Sequence, residues 1–164
     1  MNSWITSRRL VAIRMVSDGS AMISTMSKVF LDTTVLVYAV DLGHAAKQKR
    51  ALELLRTLGS GQVRGVVSTL VLQEFYVVAT RKLGIEPLMA KGLLHDFSHF
   101  ELVQVQLTHI NDAIDCSVLN QLSFWDALIV VCAEAAKCEQ MWTEDLDHGQ
   151  VIRGVRCENP FKSA

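Results

Sequence analysis

Apolar positions follow two patterns along this chain, and the two patterns alternate. Short apolar runs are typical of strands buried in a sheet, and they predict strands at 29–32, 63–68, 102–105 and 140–143. Longer segments with apolar residues three or four positions apart predict helices at 44–58, 69–82, 87–100, 108–121 and 123–137. Strands that alternate with helices indicate an α/β fold whose mostly parallel sheet is covered by helices on both faces.

Two segments stay open in this pattern, and two residues are predicted to start helices. Residues 33–40 are rich in β-branched side chains and either continue the first strand or turn into a short helix. The tail through Val151 and Val155 is either irregular or an edge strand. Thr108 and Ser123 are predicted N-caps, because a hydroxyl oxygen accepts the free backbone N–H groups of a first helical turn.

The length of the chain favours a single domain, and the composition of the first 25 residues differs from that of the rest. With 164 residues and 18.2 kDa, the chain lies in the range of single domains. Residues 1–25 carry Arg8, Arg9 and Arg14 against the single acid Asp18, and they show no periodic apolar stripe. We expect this extension to be disordered or an artefact of an early start codon, with Met26 as the true start. Residues 26–164 are expected to form the domain.

The four cysteines and the apolar content limit the classes of protein to which this chain can belong. Hydrophobic residues make up 50% of the chain and charged residues 20%, which excludes a disordered, low-complexity protein. No apolar run approaches the ~20 residues that cross a bilayer. The cysteines form no Cys-x-x-Cys pair, so we expect reduced core residues and a cytoplasmic location. They are Cys116, Cys132, Cys138 and Cys157.

Charge is distributed unevenly between the two halves of the domain. Residues 42–91 contain eight Lys or Arg and three acids, whereas residues 92–147 contain one base and ten acids. Such a split suits a phosphate-binding rim beside an acidic metal centre, and equally two differently solvated faces. Charge alone leaves both interpretations open.

Two acids occupy unusual surroundings in the first half. Asp32 ends the first predicted strand, and ligands of open α/β sheets bind beyond the carboxyl ends of strands. Glu74 has only apolar neighbours one helical turn away, which points its side chain towards the protein. Burying an unpaired carboxylate is costly, so Glu74 needs a cation or a network of donors. A turn acid and a structural ion pair are the respective alternatives.

Two further acids lie in the second half. Asp126 follows Ser123 by three residues on an apolar helix, where a capping role and a metal-binding role are compatible. Asp145 follows the fourth strand, and alternation predicts that it faces the site while Glu144 points to solvent. Asp147 is a close competitor for that position. Trp125 and Trp142 adjoin these segments, and we expect them to pack in the core rather than to stack on bases.

Four carboxylates at strand ends and on apolar helix faces predict a divalent metal site. Like charges gathered closely repel unless a cation lies between them, and hard oxygen ligands favour Mg²⁺ or Mn²⁺. Such ions support hydrolysis of phosphate esters. No P-loop, dinucleotide-binding or serine-hydrolase motif is present in the sequence.

At these acids the sequence resembles the PIN-domain family, in particular the VapC-type toxins of toxin–antitoxin pairs. The matching segments are VFLDTTVLVYAV at 29–40, VSTLVLQEF at 67–75, LSFWDALI at 122–129 and WTEDLDHG at 142–149. The family's four acids correspond to Asp32, Glu74, Asp126 and Asp145. Thr143 matches the family's supporting hydroxyl, and Thr34 stands where Asn or Ser is more usual.

The resemblance implies a fold, an activity and partners. The implied fold is a three-layer α/β/α domain with a sheet of four to five strands, in which residues 33–40 are a short helix. The implied activity is a Mg²⁺- or Mn²⁺-dependent endoribonuclease, with the four acids as catalytic metal ligands and Thr34, Thr143 and Asp147 as supporting residues. The implied partners are RNA, a second copy of the chain in a homodimer, and a small antitoxin whose tail occupies the acidic groove.

The basic excess of residues 42–91 then has a use in binding the RNA backbone. Lys47, Arg50 and Arg81 are the candidates for these contacts, with solvated helix faces as the alternative. Two other functions stay open: a non-catalytic PIN-like module that binds RNA or protein, and an RNA-processing nuclease outside toxin–antitoxin systems.

Overall fold

A computed structural model describes residues 26–162 of the chain. The prediction for residues 1–25 therefore lies outside the described residues. The strands are β1 (Lys28–Leu31), β2 (Arg64–Ser68), β3 (Glu101–Val103), β4 (Gln140–Trp142), β5 (Val151–Ile152) and β6 (Val155–Glu158). The helices are α1 (Thr33–Val40), α2 (Ala45–Gly59), α3 (Thr69–Arg81), α4 (Pro87–Phe97), α5 (Leu107–Asn120) and α6 (Phe124–Ala135).

The strands form one sheet in the order β3-β2-β1-β4-β6-β5. All neighbouring pairs are parallel except β5 and β6, which form an antiparallel edge. Strand β1 is central, and its Val29 is paired with Gly65 of β2 and with Gln140 of β4. The α/β prediction is confirmed, and the sheet has six strands rather than four or five because the tail forms both β5 and β6.

The path of the chain creates a switch point beside β1. From β1 the chain moves outward to β2 and β3, and it then returns to β4 on the other side of β1. Because parallel crossovers are right-handed, this reversal puts α1 to α4 on one face and α5 and α6 on the other. The contacts agree: α1 packs on α2 and α3, α3 packs on α4, and α5 packs on α6. A site is expected where the carboxyl ends of β1 and β4 diverge.

The core lies on both sides of the central strands. Phe30, Leu31, Val66 and Met141 from β1, β2 and β4 are fully buried. Helix α6 buries seven consecutive residues from Ala127 to Ala133, which explains its apolar sequence. All four cysteines are buried and free, as predicted.

The helix starts decide three local predictions. Residues 33–40 form helix α1, and the Asp32 carboxylate caps it by accepting a hydrogen bond from the Thr33 backbone N–H at 2.7 Å. Ser123 caps α6 as predicted. The prediction for Thr108 was wrong, because α5 begins earlier, after Gln106, whose backbone N–H donates to Nδ1 of His109 at 3.1 Å.

Within residues 26–162, no single helix has both the length and the hydropathy to cross a membrane. Helices α5 and α6 reach those values only when taken together, as a pair bent by 117°.

Candidate active site

Asp32 lies at the switch point, between the end of β1 and the start of α1. Its side chain is 3% exposed, and its backbone N–H donates to the carbonyl oxygen of Trp142 at 3.0 Å, which extends the pairing of β1 with β4. Oδ1 accepts from the Thr33 backbone, and Oδ2 accepts from the hydroxyls of Thr143 at 2.8 Å and Thr34 at 3.3 Å. Asp32 is therefore a buried carboxylate held in one orientation by three donors.

Thr143 follows β4 and connects two acids. It is 2% exposed, and its backbone N–H donates to the carbonyl oxygen of Glu158 at 3.0 Å. Its Oγ1 donates to Asp32 and accepts the backbone N–H of Asp145 at 3.1 Å. One hydroxyl thus fixes both the first acid and the backbone of the last one.

Glu74 reaches the same corner from helix α3. Its Oε2 accepts a hydrogen bond of 2.6 Å from the hydroxyl of Thr33, in the first turn of α1. The sequence predicted that Glu74 turns inward and needs a donor, and this hydroxyl is the donor. Sequence reasoning chose Thr34 as the supporting residue and missed Thr33, because the direction of the Thr33 side chain depends on where α1 begins.

The electrostatics of Asp32 reflect burial and crowding. The pKa of Asp32 is raised to about 7, and burial is the largest cause. The negative charges of Asp145 and Glu74 act in the same direction as burial, whereas the hydrogen bonds from Thr143 and the Thr33 backbone act against it. The three acids are therefore close enough for each charge to be felt at Asp32.

A groove of about 770 Å³ lies in front of these acids. Glu74 and Asp145 line it, together with Thr33, Thr34 and a wall of apolar side chains from α1 and α3. Trp125 also lines the groove with 56% of its surface exposed, so the prediction that it packs in the core was wrong. Trp125 lies in the first turn of α6, at the edge of the core, whereas Trp142 packs against the core as predicted.

Asp126, the fourth predicted acid, forms its side-chain hydrogen bond with a residue three positions earlier in the chain. It lies in the first turn of α6, where its Oδ2 accepts a hydrogen bond of 2.6 Å from Ser123 and its backbone N–H donates back to the same hydroxyl at 3.1 Å. It is not among the residues that line the groove. The structure therefore brings Asp32, Glu74 and Asp145 together and gives Asp126 the capping geometry that the sequence also allowed.

Glu144 does not point to solvent, which corrects the sequence interpretation. Its Oε2 accepts from the Tyr38 hydroxyl at 2.6 Å, and its Oε1 forms an ion pair with Nζ of Lys47. Partial burial raises the pKa of Glu144, but the hydrogen bonds from Lys47 and Tyr38 outweigh burial, so the pKa lies below its ordinary value. Tyr38 and Lys47 lie 106 and 97 positions away from Glu144 in the sequence, so no local pattern could have indicated these contacts.

The other predicted residues have varied surroundings. Asp147 is exposed in the turn before β5, where its carbonyl oxygen accepts the backbone N–H of Gln150 at 3.1 Å. Arg50 donates from Nε to the carbonyl oxygen of Pro160 at 3.1 Å. Arg81 is exposed at the end of α3. The amino group of Lys47, expected to contact RNA, is occupied by Glu144 and Tyr38.

The donor chemistry of this corner fits a divalent cation. Among residues 26–162, no group of three or more His, Cys, Asp or Glu side chains is arranged so that it could hold a metal ion. Mg²⁺ does not require such a group, because it keeps several waters and is typically held by one or two carboxylates. Asp32, Glu74 and Asp145 offer only hard oxygen donors, and a cation would relieve the repulsion that Asp145 and Glu74 add to the effect of burial on Asp32.

Comparison with solved structures finds the same fold in bacterial toxins. VapC20 of Mycobacterium tuberculosis, described as a sarcin-ricin loop cleaving toxin, aligns with a TM-score of 0.57 and 17% identity over 71% of this chain and 89% of VapC20. A toxin–antitoxin complex from Klebsiella pneumoniae aligns with a TM-score of 0.57 and 17% identity, over 80% of this chain and 97% of the other.

A third structure shares the architecture, and a family-level comparison agrees. VapBC2 of Rickettsia felis, bound to a DNA fragment of its promoter, aligns with a TM-score of 0.58 and 19% identity over 80% of this chain and 98% of the other. No curated protein sequence matches this chain significantly. The PIN domain description matches residues 29–153, a span that contains all four candidate acids. The chain therefore belongs to the PIN domain family.

Proposed function

We propose that this protein is a metal-dependent endoribonuclease that hydrolyses RNA phosphodiester bonds, and that it is the toxin of a type II toxin–antitoxin pair. The observation that carries the proposal is the buried Asp32 at the switch point, on which the charges of Asp145 and Glu74 act. Membership of the PIN domain family supports a nuclease, and the RNA-cleaving activity in the description of VapC20 supports RNA as the substrate.

In this proposal Asp32, Glu74 and Asp145 would hold Mg²⁺ or Mn²⁺, with Asp126 on α6 as the fourth acid. When bound, the ion would lower the pKa of water and stabilise negative charge on the phosphodiester oxygens. Asp126 serves this role only if its carboxylate keeps one oxygen for the ion while the other accepts from Ser123. A carboxylate has enough lone pairs for both partners.

The threonines orient the carboxylates before the ion and the substrate arrive. Thr143 and Thr34 donate to Oδ2 of Asp32, and Thr33 donates to Oε2 of Glu74, so each acid keeps acceptor capacity for a cation. Buried donors of this kind spare the site the cost of ordering the side chains during the reaction.

The groove and its basic surroundings bind the partners. We propose that Arg50 and Arg81 contact the RNA backbone as part of the basic excess of residues 42–91. The apolar wall of the groove suits an antitoxin tail, and the toxin–antitoxin complexes among the structural neighbours support such a partner. A homodimer and a cytoplasmic location are further parts of the proposal, the latter supported by four free cysteines.

The test is a metal titration of the purified protein, followed by calorimetry and by cleavage of a mixed pool of tRNA, rRNA and mRNA. We expect cleavage that requires Mg²⁺ or Mn²⁺ and leaves 5′-phosphate and 3′-hydroxyl ends. Asp32→Asn abolishes cleavage and keeps the circular dichroism spectrum of the folded protein. Full activity in this variant removes Asp32 from the site.

Two other outcomes identify the alternatives. A wild-type protein that binds RNA or a protein partner but is inert with both metals is a non-catalytic PIN-like module. An active nuclease that no small neighbouring gene product inhibits is an RNA-processing enzyme outside toxin–antitoxin systems.

A further inference from the structure

We propose that Lys47, Tyr38 and Glu144 form a clamp that holds the turn after β4 and thereby positions Asp145 beside Asp32. This inference rests on the proposed function insofar as Asp145 is a metal ligand. The three residues are positioning residues, because none of them is proposed to touch the metal or the RNA.

The clamp is a closed triangle of polar contacts. The Tyr38 hydroxyl donates to Oε2 of Glu144 at 2.6 Å and accepts from Nζ of Lys47 at 2.8 Å. Lys47 also donates to Oε1 of Glu144, which completes the triangle. The Lys47 ammonium lies 4.5 Å from the centroid of the Tyr38 ring, a cation–π distance. Each member therefore contacts both of the others.

The triangle connects three parts of the chain that are distant in sequence. Tyr38 comes from α1, Lys47 from α2, and Glu144 from the turn that follows β4. Phe161 packs edge-to-face on Tyr38 with ring centroids 4.9 Å apart, which further restrains the ring. The side chains of Lys47 and Glu144 are 28% and 27% exposed, so this ion pair is better shielded than a typical surface pair.

The clamp acts on Asp145 through the backbone. Asp145 follows Glu144 directly, and its backbone N–H is bound by the Thr143 hydroxyl at 3.1 Å. The turn is thus held at two consecutive residues, by the Thr143 hydroxyl and by the Glu144 side chain. Within residues 26–162, the Asp145 carboxylate has no hydrogen-bond or ion-pair partner, so it is presented to the groove by its backbone rather than by contacts of its own.

The clamp also removes a competing charge from the site. Asp32, Glu74 and Asp145 already crowd this corner, and Glu144 directly precedes Asp145 in the chain. Lys47 neutralises Glu144 at Oε1, and the Tyr38 hydroxyl donates to Oε2. These contacts make Glu144 a weaker competitor for a cation at the groove.

A role in RNA binding is the competing explanation for Lys47. It predicts different kinetics, because loss of a phosphate contact raises the KM for RNA and flattens its salt dependence. Loss of a positioning residue lowers kcat and metal affinity instead, and it leaves the KM for RNA nearly unchanged.

The experiment compares Lys47→Met with Lys49→Met, which removes the same charge from an exposed position on the same helix. Three quantities are measured: the Mn²⁺ dissociation constant by calorimetry, amide hydrogen exchange of residues 143–149 without metal, and kcat and KM for RNA. We expect Lys47→Met to raise the Mn²⁺ dissociation constant about tenfold, the lower end of the effect of removing a residue that orients a ligand. We also expect faster exchange at Asp145.

Two further variants keep the test informative if Lys47→Met fails to fold. Tyr38→Phe removes only the shared hydroxyl and is expected to act in the same direction, with the exposed Tyr76→Phe as its control. The exchanged pair Lys47→Glu with Glu144→Lys retains one cation and one anion, and it is expected to recover Mn²⁺ affinity and slow exchange relative to Lys47→Met.

The outcomes separate this inference from the proposed function. Unchanged Mn²⁺ affinity and unchanged exchange in Lys47→Met and Tyr38→Phe overturn the clamp, and a raised KM for RNA then returns Lys47 to RNA binding. A wild-type protein that neither binds Mn²⁺ nor cleaves RNA overturns the proposed function. The exchange measurement still decides in that case whether the clamp holds the turn.

Discussion

Thr143 and Asp32, 111 positions apart in the sequence, share a buried hydrogen bond of 2.8 Å that joins the ends of β4 and β1. The same Thr143 hydroxyl accepts the backbone N–H of Asp145. A single side chain therefore sets the distance between two strand ends and the orientation of the turn that carries the last acid.

Replacing Thr143 with valine is expected to damage both stability and activity. Valine keeps the shape but removes the donor to Asp32 and leaves the N–H of Asp145 unpaired, which costs about 1–3 kcal/mol of unfolding free energy. RNA cleavage is expected to fall by roughly 10- to 100-fold. Urea unfolding and initial cleavage rates measure the two effects. Thr143→Ser retains the hydroxyl and serves as the control; equal rates in the valine variant and the wild type contradict the role of this bond.

The raised pKa of Asp32 predicts how the stability of the metal-free protein depends on pH. Between the ordinary value of 3.8 and about 7, the folded protein holds a proton on Asp32 that the unfolded chain releases. The contribution of Asp32 to stability is therefore complete below pH 3.8 and is lost as pH rises towards about 7.

Asp32→Asn removes this titration. From about pH 5 to about pH 8, the variant is expected to gain up to roughly 3 kcal/mol of unfolding free energy relative to the wild type. Urea unfolding in the presence of a chelator measures the difference. Stability curves that stay parallel across this range mean that Asp32 is ionised in the folded protein throughout.

The two roles of Asp126 are separable by a pair of variants. Ser123→Ala removes the N-cap of α6 and is expected to cost about 1 kcal/mol of stability while cleavage persists. Asp126→Asn weakens the hydrogen bond from Ser123 and the interaction of an acid with the helix dipole, the latter worth about 0.3–1 kcal/mol. It is expected to lower cleavage at least about 100-fold if Asp126 binds the metal. Activity that falls only in proportion to the folded fraction in both variants makes Asp126 a capping residue.

Two glycines are expected to respond to alanine in opposite directions. A Cβ at Gly65 on β2 would lie 2.9 Å from Cδ1 of Phe100 and 3.0 Å from Cδ1 of Leu58, so Gly65→Ala overpacks the core and costs about 1–3 kcal/mol. Gly92 on α4 has nothing within 4 Å, so Gly92→Ala is expected to gain about 0.5–1 kcal/mol from helix propensity. Thermal unfolding of both variants measures these shifts, and two shifts of the same sign contradict the packing described for β2.

Much of the fold was predictable because its signals are local. The apolar stretch of α6 and the amphipathic pattern of α2 lie within single segments, Ser123 was the correct N-cap of α6, and the helix predicted from residue 87 begins there as α4. The sequence did not predict β6 clearly, because only Val155 and Cys157 of its four residues are buried. So short an alternation cannot be distinguished from an irregular tail. The interior position of β6 depends on pairing with β4.

The acids of the site were predictable as candidates, but their contacts were not. Asp32 and Glu74 stood out because polar residues followed a strand or interrupted an apolar face. Three features depend on how distant elements pack together: the contact of the Thr33 hydroxyl, the exposure of Trp125 and the pairing of Glu144 with Lys47. The neighbouring sequence of these residues carries no signal for that packing.

The position of β6 in the chain fixes the order in which the corner around Thr143 and Asp145 can assemble. Glu158 at the end of β6 accepts the backbone N–H of Thr143, and β6 follows the other five strands described between residues 26 and 162. A nascent chain therefore carries Asp32, Glu74 and Asp126 before this support for Thr143 exists. The hydrogen-bonded corner around Asp32, Thr143 and Asp145 is therefore completed only after β6 has joined the sheet.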